Sequence, residues 1–248
     1  MSGLRAVLPF AALVLSALVL AACSSETTTL SGEAVVSDIP WPETEELHYR
    51  LMKGDALKGS GILSIEPEAG TLRFRQKYAS DEFTDEIVVV ANGGTMQPIS
   101  VQRFLVGPDG ERRWAVNYVP GSARVIQRTQ DDKRDDRLAV PARSYDSWTD
   151  VFLWRTIDFR AGYHATYTDV LSATLAEPEV ISQELKVTGK EEVTVPAGVF
   201  NAWRVEIHAP DGDQVAWYAD TDDRPLVRYD NGNLVFELLS LFPEGRAG

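Results

Sequence analysis

Cysteine, histidine and methionine are scarce in these 248 residues, at one, three and three. A single thiol cannot close an internal disulfide, and three scattered histidines leave little for a metal site. Positive charge is also short. Lys and Arg number 24 against 37 Asp and Glu, a formal charge of −13. An acidic surface of that size repels phosphate backbones, so nucleic acid is not an expected partner. No phosphate-binding glycine loop, dinucleotide glycine pattern or nucleophile elbow occurs, and no cofactor is implied. No repeat of fixed period is visible, nor any regular alternation of strand with helix. What remains is an ordinary folding composition, 44% hydrophobic and 25% charged, enough for one large domain or two small ones.

The single cysteine has a marked position. Arg5 is the only charged residue among the first 22, and an apolar run from Ala6 to Ala22 follows it. Such a run after a short cationic start reads as an export signal over residues 1–22. It ends at Leu20-Ala21-Ala22-Cys23, and the polar stretch Ser24-Ser25-Glu26 comes next. This tetrapeptide resembles the bacterial lipobox. The resemblance implies that Cys23 receives a diacylglyceryl group, becomes the mature N-terminus and holds the chain to a cell membrane or outer membrane with the domain outside the cytoplasm. Residues 23–43, rich in Ser, Thr, Glu and Pro, read as a disordered tether. Trp41, between Pro40 and Pro42, either docks on the domain or stays exposed.

Residues 44–248 read as a single β-rich domain. Short alternating segments recur with turn signals between them, as in Trp203-Arg204-Val205-Glu206-Ile207-His208, where three apolar residues share one face. Asp109-Gly110, Pro120-Gly121, Asp211-Gly212 and Asn231-Gly232 supply turns. About a dozen strands are expected, forming a large antiparallel sheet curled into a half-open barrel. One segment breaks the pattern. Residues 147–159 carry apolar side chains at 148, 151, 152, 154 and 157, which predicts an amphipathic helix over the concave face or mouth, capped by Asp146 or Ser147. The charged run 130–137 reads as a solvated loop.

The last third carries a longer signature. Val187-Thr188-Gly189-Lys190-Glu191-Glu192-Val193-Thr194-Val195-Pro196-Ala197-Gly198-Val199-Phe200 precedes Trp217-Tyr218-Ala219-Asp220 and Pro225-Leu226-Val227-Arg228. This order resembles the bacterial envelope family called domain of unknown function 3108. The resemblance implies a fold similar to Lol-type lipoprotein carriers, a half-open β-barrel around an apolar hollow partly covered by helix. It implies no catalytic residue.

Candidate chemistry is sparse. His48, His164 and His208 are far apart. Asp211, Asp213, Asp220, Asp222 and Asp223 fall in two loops; Asp220 to Pro225 lacks the glycine and distal glutamate of an EF-hand loop, and the carboxylates read as a solvated acidic rim. No catalytic and no metal-ligating residue is assigned. Aromatics are the remaining signal. Phase of alternation selects Trp154, Trp203, Val205, Trp217 and Phe236 as the wall of an apolar pocket, with Trp217 and Phe236 on neighbouring strands. Two readings stay open: a non-enzymatic, membrane-anchored lipoprotein that binds a lipid or other apolar small molecule in the barrel, or a structural or protein-interaction lipoprotein whose core is filled.

Overall fold

The computed structural model describes residues 35–41, 43–210 and 212–243. The export signal, Cys23 and tether residues 23–34 lie outside them. Eight strands follow one another as a meander: β1 (Glu45–Lys53), β2 (Ala56–Glu68), β3 (Thr71–Ala79), β4 (Thr84–Asn92), β5 (Pro98–Gly107), β6 (Gly110–Val119), β7 (Ser122–Arg128) and β8 (Lys133–Ala139). A short β9 (Tyr145–Asp146) precedes the helical turns. Then come β10 (His164–Leu171), β11 (Glu179–Val195), β12 (Gly198–Ala209), β13 (Gly212–Ala219), β14 (Leu226–Asp230) and β15 (Val235–Pro243).

All fifteen strands belong to one sheet, ordered β8-β7-β6-β5-β4-β3-β2-β1-β15-β14-β13-β12-β11-β10-β9. Every neighbouring pair is antiparallel except β9 with β10. The first and last long strands, β1 and β15, pair in the middle and join two wings. The sheet is mainly antiparallel and not closed by a ladder, as the sequence predicts. Its turns follow the expected chemistry: Gly110 and Gly121 take φ of 93° and 82°, which other residues adopt only at a steric cost. Gly59 serves a closer approach, since a Cβ there would stand 2.3 Å from the Ala79 carbonyl oxygen.

Alternation decides what is buried. On β1, Leu47, Tyr49 and Leu51 are at most 2% exposed, while His48 and Arg50 between them face outward. The two edges, β8 and β9, are successive in the chain, and the sheet curls until their surroundings meet. Tyr118 donates to Asp146 at 2.5 Å, Arg103 donates to the Ala173 carbonyl at 2.7 Å, and Arg134 lies 3.2 Å from Glu177. Side chains therefore seal a seam that backbone hydrogen bonds leave open.

Three sequence expectations are corrected. The run 130–137 is largely strand: β8 alternates exposed and half-buried residues, and its cations and carboxylates occupy an edge. Charge on an edge strand blocks pairing with another chain, so the same composition that suggests a loop also suits an edge. The helix is shorter than 147–159. A 3-10 turn (Ser147–Thr149), one α turn (α1, Asp150–Leu153) and another 3-10 turn (Trp154–Thr156) end where Ile157 becomes extended. Asp146 caps the start by accepting from the Trp148 amide at 3.0 Å. The Thr156 carbonyl accepts from the Ser37 and Asp38 amides, so the N-terminal segment stops the helix. That contact shortens the tether as well. Residues 35–41 pack on the domain, with Val35 and Trp41 buried. Trp41 meets Phe74 edge-on at 5.8 Å and lies under the Arg155 guanidinium, burying an area too large for water to reclaim cheaply. Among the described residues no helix is long and apolar enough to cross a membrane.

Candidate functional site

The helical turns fill the concave face. Phe152, Leu153, Trp154 and Ile157 are at most 2% exposed. Phe152 stacks on Phe74 of β3 at 4.7 Å, and Tyr218 of β13 donates to the Val151 carbonyl at 2.7 Å. The expected pocket wall divides accordingly. Trp154, Val205 and Phe236 are interior and packed: the Trp154 ring meets Tyr229 at 5.8 Å, and Phe236 meets Tyr78 and Tyr229 at 5.7 and 5.3 Å. Val205 is fully buried opposite Ala216. Trp203 shares that face but sits at the rim, half-buried, 6.2 Å from Phe159 and donating to Asp220 at 2.9 Å. Trp217 points the other way. It lies opposite Arg204 and Arg228 on the outer face and donates to Glu191. It does not share a wall with Phe236, because β14 lies between their strands and the two rings face opposite sides.

Where the helical turns meet β9, β10 and β11, three carboxyl groups are buried together. Asp146 closes β9, Asp150 opens α1, and Asp169 lies on the inward phase of β10. Their exposures are 0, 7 and 0%. Tyr118 and Ser172 donate to Asp146 Oδ2 at 2.5 and 2.6 Å. Tyr167 donates to Asp150 Oδ1 at 2.9 Å and itself accepts from Trp154 Nε1 at 2.8 Å. The Gln183 amide bridges the remaining two, donating to Asp150 Oδ2 at 2.9 Å and Asp169 Oδ2 at 2.6 Å. The Val170 amide completes Asp169 at 2.8 Å.

No cation among the described residues enters this network. The nearest buried guanidinium groups are committed elsewhere. Arg103 forks onto Asp85 and is held between the rings of Trp114 and Trp148. Arg155 forks onto Glu45 at 2.5 and 2.7 Å and donates to the Asp223 carbonyl. Burial therefore pushes the carboxyl pKa values upward, to about 6 for Asp146 and about 8 for Asp150, and well up for Asp169, whose neighbours Asp150 and Asp146 add to the effect. At neutral pH the group retains protons, and Gln183 links Asp150 to Asp169. Chemically the cluster is a proton-holding clamp between the helical turns and the seam. Among the described residues no grouping of three His, Cys, Asp or Glu side chains is arranged to hold a metal ion.

Sequence reasoning assigns Asp146 to helix capping and misses the cluster. The available signal was Asp169, which follows Ala165 and Tyr167 on one phase of its strand, and Gln183, which precedes Leu185 and Val187. The histidines are dispersed: His48, His164 and His208 each meet a nearby carboxylate, on β1, β10 and β12. On the acidic rim, Asp220 is neutralised by Lys190 at 2.5 Å, and its carboxyl is held below the usual range by that ammonium.

The chain belongs to the family described as proteins of unknown function, DUF3108, whose model matches residues 46–238. No curated protein matches it. Among solved structures it is similar to a β-barrel-like protein of domain of unknown function DUF1849 from Brucella abortus, with 12% identity and a TM-score of 0.51, over 82% of this chain and 98% of that one. A putative exported protein with a YmcC-like fold from Bacteroides fragilis aligns with 10% identity and a TM-score of 0.29, over 84% of this chain and 99% of the other. The Brucella likeness carries the barrel-like fold and nothing finer.

Proposed function

We propose that this protein is an envelope lipoprotein, held to a bilayer through a diacylglyceryl group on Cys23, whose barrel-like domain is a filled, non-catalytic binding module acting through its outer surface. One observation carries the choice of a filled module over an interior carrier. The concave face is occupied by residues 147–156, with Trp154 only 1% exposed and hydrogen-bonded into the carboxyl clamp. An acyl chain entering there displaces a fully packed aromatic layer and uncovers three buried carboxyls. The clamp's geometry supports a structural rather than a reacting part for these carboxyls: their oxygens accept from Tyr118, Tyr167, Ser172 and Gln183 beneath the helical turns.

Two measurements test this reading. Fractionation of bacteria expressing the Cys23→Ala chain moves the protein from membrane to soluble fractions; unchanged membrane association removes the anchor. Native-state hydrogen exchange on the same chain finds the amides of residues 149–156 as slow as those of the central strands. Fast exchange of those amides in an otherwise protected domain returns the interior-carrier reading.

A further inference from the structure

The outer face of β4 to β7 carries a groove of about 500 Å³. Register places its lining in two rows across the strands. One row runs Val88, Gln102, Ala115, Ile126; the other runs Glu86, Phe104, Arg113, Arg128 and continues to Lys133 on β8. Val88, Phe104, Ala115 and Ile126 are half-buried and form an apolar floor. Phe104 lies under the Arg113 guanidinium at 4.7 Å. Three cations thus stand directly opposite one another at one side of an apolar trough. Like charges in that position destabilise a sheet. The chain has carboxylates in excess, yet among the described residues Arg113 pairs only with the exposed Glu111, at 3.2 Å, Lys133 only with Asp135, at 3.8 Å, and Arg128 with none. Two planar guanidinium groups side by side suit a bidentate anion, and a trough of this volume falls within the range of small-ligand sites.

We propose that this groove binds a single acyl amphiphile with an anionic head. Arg113 and Arg128 hold its carboxylate or phosphate, and the chain lies along Phe104, Ala115, Val88 and Ile126. The apolar floor selects an amphiphile over a soluble polyanion, and the paired arginines select an anionic head over a neutral one. The site is independent of the anchor and stands whether or not Cys23 is acylated.

The test is photolabelling of the full chain in intact bacteria with three diazirine-bearing probes: a fatty acid, an alkyl phosphate and a fatty alcohol. The expected result is adducts on peptides holding Phe104, Ala115 or Ile126 with one or both anionic probes, and far fewer with the alcohol. Preference for one head supports the site and tells carboxylate from phosphate. The double variant Arg113→Gln, Arg128→Gln lowers groove labelling about tenfold, the loss expected from a charge-assisted hydrogen bond. Excess dodecyl phosphate competes the label away from the unaltered chain, a readout that needs no variant. Adducts confined to Trp154, Val205 or Phe236 overturn the proposal. So does labelling that ignores the arginines and the competitor, or binding of inorganic polyphosphate while the groove stays unlabelled.

Discussion

Two polar clusters of opposite sign occupy opposite faces of the same sheet. On the concave side, Asp146, Asp150 and Asp169 are buried, and each carboxyl is met by hydroxyl or amide donors. On the convex side, Arg113, Arg128 and Lys133 line up in water across three strands; Glu111 and Asp135 meet the outer two, and Arg128 between them has no carboxylate partner among the described residues. Burying a charge is costly unless it is partnered or neutralised by a proton, whereas an exposed charge is screened and contributes little to folding. The inner cluster is therefore bound up with stability and the outer one is free for a ligand. Substitution on each face separates the two roles.

The largest effect belongs to a buried guanidinium. Arg155→Met removes the fork onto Glu45, leaves that carboxylate stranded and withdraws the cation from Trp41. Urea unfolding should register a loss of about 3–5 kcal/mol. A loss under 1 kcal/mol shows that water reaches the interior and that the faces differ less than their burial suggests.

Next comes the clamp. Its carboxyls bind protons more tightly in the folded chain than in the unfolded one. The stability they contribute is complete below about pH 4, the ordinary carboxyl value, and is lost as pH rises through about 6 for Asp146 and about 8 for Asp150. Thermal unfolding of the parent chain should fall from pH 5 to pH 8. Asp150→Asn, which cannot ionise, should flatten that slope while leaving the pH 5 midpoint close to the parent value. Equal slopes in the two chains would mean that Asp150 is already ionised.

The smallest effect is expected outside. Arg113→Gln with Arg128→Gln should leave the unfolding midpoint nearly unchanged, within about 0.5 kcal/mol. A marked gain would show that mutual repulsion is a real strain in the free protein; a marked loss would make the row structural and erase the contrast.

Much of the architecture is legible in residue order. The Pro120-Gly121 turn joins β6 to β7 as read, and Trp203, Val205 and Ile207 do share a face. What escapes the sequence depends on partners distant in the chain. The helix length is set by Ser37 and Asp38 reaching the Thr156 carbonyl, which periodicity within 147–159 cannot reveal. The orientation of Trp217 follows from its register against Arg204 and Arg228, whereas its local neighbours Ala216 and Tyr218 are more deeply buried than it is. Asp169 was visible as a polar residue on an apolar phase, but its meaning required Asp150 and Gln183 beside it. Charge alternation in 133–139 could not distinguish an exposed edge from a loop, because both are wet.

The pairing of β1 with β15 has a temporal consequence. Each wing is a run of hairpins that can zip as soon as its strands appear, yet the ladder joining Glu45 to Pro243 links positions almost the whole chain apart. Until that final strand leaves the machine that makes or delivers it, the N-terminal half presents a raw β1 flank of Leu47, Tyr49 and Leu51 with no lining to cover it. Joining the wings therefore waits for the carboxyl end, and a premature stop before β15 removes the strand that both β1 and β14 pair with.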